Sequence, residues 1–302
     1  MKVALCFLIS YDNNLVKEDV WREWIDENKS LFNIYIHYNS KLPITSDWVK
    51  EHAIPEHNLQ KTSYFHVIPA YLSLLGYAQM HDTENKWFCM LTESCVPVVS
   101  PHKFRYMAWK SQEQSVMAWR KAWWNPHLVK RANLRFFTED MQLGHDPWFI
   151  LTNDDVQKVL KYPVYNNRNY KLICGGGLAN ESLFAIIFHQ HKTLSNIINT
   201  STHITDWTKP SSSTSPYVFK NGSSKELSFI SESIAQNKYA FFMRKVNKSF
   251  PDDAIRKIIQ ENIISDSFWE IVKQWICVYC LDALKIAIII IFASYQYSYL
   301  TS

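Results

Sequence analysis

Glu181 ends a glycine-rich turn in the run Gly175-Gly176-Gly177-Leu178-Ala179-Asn180-Glu181-Ser182-Leu183-Phe184. Three consecutive glycines let the backbone bend tightly. Asn180 is placed to cap a helix whose apolar residues Leu183, Phe184, Ile186 and Ile187 recur at helical spacing, which sets Glu181 in the first turn. The helix dipole favours an ionised carboxylate there, and a fixed carboxylate can act as a general base. The same position also suits a glutamate that only balances the dipole, and the local sequence leaves both readings open.

Other groups point to what such a base would serve. Hard cations beside a diphosphate are usually held by an aspartate pair, D-x-D, at a strand end, because they need oxygen ligands. This chain has no D-x-D. Asp154-Asp155 and Asp252-Asp253 stand at helix starts, where capping explains them, and Asp82-Thr83-Glu84 precedes a strand instead of following one. A site without metal needs protein cations for an anionic leaving group, and Lys245, just beyond an apolar strand, could supply one; as an isolated position it also reads as an exposed charge. Ser94 and Cys95 lie outside any G-x-S-x-G elbow and have no neighbouring histidine, so nucleophilic hydrolysis is the weaker reading. His37, His66, His145, His189 and His191 are too scattered to form a ligand set. Cys277-Val278-Tyr279-Cys280 has zinc-like spacing but lacks a second Cys/His pair. The other cysteines, Cys6, Cys89, Cys95 and Cys174, fall mostly in apolar runs and read as buried thiols.

These residues need a scaffold. Residues 3–9 read as a buried strand and 16–27 as an amphipathic helix with Val20, Trp21, Trp24 and Ile25 on one side. Strand 32–37, helix 66–80 and strand 87–91 follow. The alternation predicts an α/β domain with a largely parallel sheet, whose ligands bind beyond the carboxyl ends of the strands. Glu93 occupies such an end. Residues 107–137 are basic and tryptophan-rich. Asp146-Pro147-Trp148 leads into strand 149–152, and Asn153 or Asp154 is expected to cap a helix over 156–160. Residues 208–224 read as an exposed Ser/Pro/Gly loop, 239–243 as a strand, and 254–264 as a helix opened by Asp252-Asp253.

With 302 residues and 47% hydrophobic content the chain can bury a substantial core. A net charge of +4 without a Lys/Arg block gives little support to nucleic-acid binding. The 15% aromatic content suits a few stacking contacts to sugars, with most rings in the core. Residues 275–295 are strongly apolar, near the length of a membrane span of about 20 residues. Asp282 and Lys285 lie within that stretch, so a C-terminal anchor and an apolar docking helix are the two expectations for it.

Six segments, in order, resemble the core-2/I-branching β-1,6-N-acetylglucosaminyltransferase family, glycosyltransferase family 14, and in particular its plant-type branch. They are Phe-Asn-Ile-Tyr-Ile-His at 32–37, Trp-Phe-Cys-Met-Leu-Thr-Glu-Ser-Cys-Val-Pro at 87–97, Asp-Pro-Trp-Phe-Ile-Leu-Thr at 146–152, Asn-Glu-Ser-Leu-Phe at 180–184, His-Ile-Thr-Asp-Trp at 203–207 and Phe-Phe-Met-Arg-Lys at 241–245. Segment 87–97 is the most specific. Asn153 stands where the branch commonly has Arg, and Asn180 where the family has Asp.

The resemblance implies a GT-A-like α/β fold, a mostly parallel central sheet flanked by helices, over residues 1–265; the apolar run, which the resemblance does not cover, adds an expected apolar C-terminal helix in the tail 266–302. It implies an inverting, metal-independent transfer of an N-acetylglucosamine, xylose or glucuronic acid type sugar from a UDP-sugar donor to a hydroxyl of a glycan or glycoprotein acceptor. Glu181 would be the catalytic base. Lys245 with Arg244 would hold the diphosphate, with Lys225 and Lys209 as candidates for a further cation. Glu93, Trp207, Asp206 and Trp148 would line the sugar sites. No metal or other cofactor is expected beyond the UDP-sugar co-substrate, and a membrane partner through the tail would fit a Golgi- or ER-like setting. The alternative is an inactive relative that binds carbohydrate or serves a structural role at a membrane.

Overall fold

The computed structural model describes residues 1–262 except 10, 11, 64, 213 and 214. The proposed C-terminal helix and membrane span, and Cys277 and Cys280, lie outside these residues. Among the described residues no helix is long and apolar enough to cross a membrane.

The strands are β1 (Lys2–Leu8), β2 (Phe32–His37), β3 (Asn85–Thr92), β4 (Val96–Pro97), β5 (Trp119–Lys121), β6 (Leu143–His145), β7 (Ile150–Thr152), β8 (His203–Ile204) and β9 (Phe242–Met243). The helices are α1 (Glu18–Asp26), α2 (Asp47–His52), α3 (Ile68–His81), α4 (Pro101–Lys110), α5 (Asn153–Tyr165), α6 (Asn167–Cys174), α7 (Leu183–Gln190), α8 (Ser224–Gln236) and α9 (Asp252–Glu261). The central sheet has the order β2-β1-β3-β7. β1 runs parallel to β2 and β3, and β7 closes the edge antiparallel to β3.

β1 explains why that sheet is buried on both sides. Its alternate residues Val3, Leu5 and Phe7 enter one core with Trp21, Trp24 and Phe104, while Ala4, Cys6 and Leu8 enter another with Leu74, Phe149 and Phe184. A strand covered on both faces reads as a continuous apolar run. Trp21 and Trp24 also satisfy their indole N–H groups, on the carbonyls of Cys95 at 2.9 Å and Val99 at 2.8 Å. Cys6, Cys89 and Cys95 are buried thiols.

One local expectation is corrected. Thr152, not Asn153 or Asp154, caps α5: its side chain accepts from the Asp155 backbone N–H at 3.3 Å. The loop after residue 208 ends in a capping box in which Ser223 and Glu226 satisfy one another's backbone, opening α8. Buried Glu226 also accepts from the N–H groups of Lys220 and Asn221 at 2.8 and 3.2 Å, so this polar stretch is tied to its helix by one carboxylate.

Candidate functional site

The carboxyl ends of β1 and β3 open into a cavity of about 860 Å³, with Leu8, Thr92, Glu93 and Ser94 in its wall. That volume suits a bound small molecule. The far wall holds Glu181, Asn180, Arg131 and Arg120; Arg244, Lys245 and Lys248 add positive charge, and Trp148 and Trp207 add rings.

The glycine turn reaches this cavity differently from the sequence expectation. Ala179–Glu181 forms a single 3₁₀ turn, and α7 starts only at Leu183 after Ser182. Glu181 therefore precedes the helix instead of lying in its first turn, and neither Asn180 nor Ser182 makes a side-chain cap bond. The left-handed residue is Leu178, at φ 57°. Gly176 is required by space: a Cβ there would lie 2.4 Å from the backbone nitrogen of Asn133. The loop over residues 131–134 thus lies directly on the turn, joined by the Ala132 N–H to the Gly177 carbonyl at 2.9 Å.

That close approach delivers Arg131 to the carboxylate. Its Nη1 donates to Glu181 Oε2 at 3.0 Å, with both side chains about four-fifths buried (20% and 19% exposed). The Arg131 guanidinium also lies over the Trp124 ring, 5.1 Å from its centroid. Burial raises the Glu181 pKa above the ordinary carboxylate value; Arg131, Arg120 and Arg244 oppose the rise, while Asp146 adds to it. Asp146 is itself raised by burial, and Arg120, 4.0 Å away, partly offsets this.

The cationic wall comes from the segment after β9. Arg244 stacks on Trp148 at 3.8 Å from the ring centroid, and its Nε donates to Thr92 Oγ1 at 3.3 Å. Lys245 Nζ donates to Ser215 Oγ at 2.8 Å. Burial and the charge of Arg244 lower the Lys245 pKa, and Glu93 partly restores it. Glu93 in turn is raised by burial and held down by its own backbone N–H, Arg244 and Lys245. This wall is sewn to the sheet ends by Arg244 N–H to Ile204 O at 3.0 Å and Val246 N–H to Ser94 O at 3.0 Å.

Of the residues expected from sequence, Glu181, Arg244, Lys245, Glu93, Trp207 and Trp148 share the cavity. Trp207 is half exposed at its rim, whereas Trp148 is buried beneath Arg244. Lys209 and Lys225 are exposed and do not line it. Asp206 is turned away to its own loop, accepting from the Thr208 N–H at 2.8 Å and the Thr208 hydroxyl at 2.6 Å. Sequence reading missed Arg120, Arg131, Asp146 and Tyr71. The first two lie in the basic, tryptophan-rich segment it had noticed, but nothing in one dimension tied that segment to the glycine turn.

The hydrolase reading loses ground here. Ser94 lines the cavity without a histidine partner among the described residues, and burial raises the Cys95 thiol pKa away from the reactive thiolate. His145 is buried and structural: its Nε2 accepts from the Phe184 N–H at 3.3 Å, which leaves Nδ1 to donate to the Asp146 carbonyl at 2.8 Å. Burial lowers its pKa to about 4.

The family model of the Core-2/I-Branching enzyme matches residues 5–231, well over half of the chain. No curated protein matches the chain.

Proposed function

Because the chain belongs to the core-2/I-branching family of glycosyltransferases, we propose that it transfers a sugar from a UDP-sugar to a glycan hydroxyl by a single inverting displacement. One observation carries this reading: a buried carboxylate, Glu181, and a pair of cations, Arg244 and Lys245, face the same cavity. In the reaction the acceptor oxygen attacks the anomeric carbon, its proton passes to the Glu181 carboxylate, and the bond to the diphosphate breaks with its electron pair leaving on UDP. A base whose pKa is raised by burial accepts that proton more readily than an ordinary carboxylate.

Arg244 and Lys245 neutralise the charge growing on the departing diphosphate. Preorganised cations do this without reorganising solvent at the moment of reaction. The lack of a D-x-D in the sequence supports a reaction that runs without a divalent metal. Trp207 at the rim offers a ring face to a sugar, and Glu93, beside Lys245, offers an acceptor for a sugar hydroxyl. The donor sugar is of the N-acetylglucosamine, xylose or glucuronic acid type, and the plant-type resemblance of segment 87–97 favours that branch of the family. Family membership also supports a Golgi- or ER-like setting.

A second reading, an inactive carbohydrate-binding relative, draws on the ion pair that already occupies Glu181. One experiment separates the two. The full chain incubated with a UDP-sugar panel and mixed glycan acceptors releases UDP in EDTA, and Glu181→Gln stops the release while UDP binding persists. Full activity in that variant would remove Glu181 from the role of base; strict dependence on added metal would remove the cations from theirs. Glycan binding without UDP binding or release would establish the inactive relative.

A further inference from the structure

Between Ser115 and Thr138 the chain carries five Lys/Arg residues, Arg120, Lys121, Lys130, Arg131 and Arg135, and no Asp or Glu. This segment alone holds more positive charge than the whole chain's net +4. Two of the five are paired, Lys121 with the exposed Glu139 at 2.7 Å and Arg131 with Glu181 at 3.0 Å; the other three are not spent on the fold. Lys130 and Arg135 are exposed and take part in no ion pair among the described residues, and Arg120, with its side chain 54% exposed, comes no nearer to a carboxylate than the 4.0 Å to Asp146.

The segment also interleaves its cations with rings. The Arg120 guanidinium sits 4.3 Å from the centroid of the half-exposed Trp123 ring, and Arg131 sits over Trp124. An apolar ring takes the flat face of a sugar. A guanidinium beside it matches a carboxylate or sulfate, with its planar fork of donors. Arg120, Trp123 and Arg131 line the same cavity as Glu181, so a ligand lying along this strip reaches the base.

On the proposed transfer reaction, we infer that residues 119–136 bind the acceptor and that the acceptor is an anionic glycan, bearing carboxylate or sulfate groups on the sugars next to the reacting one. Arg120 and Trp123 hold the nearest anionic sugar inside the cavity, and Lys130 and Arg135 extend the positive strip outward. The same segment exposes Leu128 and Phe136, at 81% and 58%, and cations beside exposed apolar side chains also suit docking on an anionic lipid surface. Continuity with the concave cavity, which a flat bilayer cannot enter, favours the glycan.

The test uses the full chain and three trisaccharides: a uronate, the same molecule with its carboxyls reduced to alcohols, and a sulfated neutral one. At low salt at least one anionic trisaccharide binds about tenfold tighter than the reduced one, and added salt erodes the difference. The two anionic arms separate carboxylate from sulfate recognition. Arg120→Gln, and separately the double variant Lys130→Gln/Arg135→Gln, each reduce that preference, while the double variant keeps its affinity for UDP. Equal binding of all three trisaccharides overturns the inference, as does a preference that survives in both variants. Sedimentation with phosphatidylserine vesicles without any trisaccharide preference overturns it in favour of a lipid surface. UDP binding without anion preference overturns only the acceptor class, whereas anion preference without UDP binding overturns the transfer reading.

Discussion

Arg131 Nη1 donates to Glu181 Oε2 at 3.0 Å inside the cavity, so the proposed base is an ion-paired carboxylate whose pKa burial nevertheless keeps above the usual value. Two opposed effects set it. Burial disfavours the charged form and Arg131 favours it. A base must be ionised to act, so transfer is lost as pH falls through the raised Glu181 pKa. Removing Arg131 takes away the largest opposing influence. Arg131→Gln is therefore expected to move the acid limb of kcat/KM to higher pH, read from a pH–rate profile on a saturated donor. A limb that stays in place or moves to lower pH would show that Arg131 does not tune this carboxylate.

Lys245 makes a separate prediction about the donor. Its ammonium is half-buried and its pKa lowered, so its charge, and with it diphosphate affinity, is fully present below that lowered value and lost as pH rises through it. A hydrogen bond to a charged group contributes about 1.5–3 kcal/mol. Lys245→Gln should weaken UDP binding about tenfold to a hundredfold in calorimetry while leaving affinity for the acceptor unchanged. Unaltered UDP affinity would place the diphosphate elsewhere.

Much of the scaffold was legible because the signals were periodic. The bounds of β2 match residues 32–37, and Val20, Trp21, Trp24 and Ile25 are the buried face of α1. The strand at 149–152 was legible but its antiparallel direction as β7 was not, since a strand's direction depends on where the chain returns and not on its composition. The site divided in the same way. Glu181, Arg244 and Lys245 stand in segments with their own local pattern. Arg131 meets Glu181 across 50 positions of sequence, through a backbone approach that only Gly176 reveals, and only once the clash with Asn133 is visible.

Lys17 is expected to be a stability determinant of the cationic wall. It is buried, and its Nζ donates to the carbonyls of Lys248 at 2.8 Å and Phe250 at 2.6 Å and to Asp252 Oδ1 at 2.6 Å. The segment it holds continues directly from Arg244 and Lys245. Lys17→Met keeps most of the apolar stem but leaves two carbonyls and a carboxylate without their donor. Breaking a buried charged pair on one side costs about 3–5 kcal/mol; Asp252 is a third exposed, so roughly 2–3 kcal/mol is expected here, measured by denaturant unfolding. A loss below about 0.5 kcal/mol, the ordinary scatter of surface substitutions, would mean that water replaces the ammonium.

Gly176→Ala tests the geometry that brings base and arginine together. The added Cβ meets the Asn133 nitrogen at 2.4 Å and the Ala132 carbonyl carbon at 2.7 Å, and both are backbone atoms that no rotamer change can move. Either the 131–134 loop lifts from the turn or the turn shifts under it. Overpacking of this kind costs about 1–3 kcal/mol. Because Arg131 rides on that loop, the variant should lose stability and also show the altered pH profile expected of Arg131→Gln. Gly177→Ala is the control, since its Cβ would meet only the Phe65 side chain at an ordinary 3.5 Å. If the two substitutions behave alike, the turn does not set the Glu181–Arg131 pair; if only Gly176→Ala shifts the acid limb, its missing side chain is what lets the arginine reach the carboxylate.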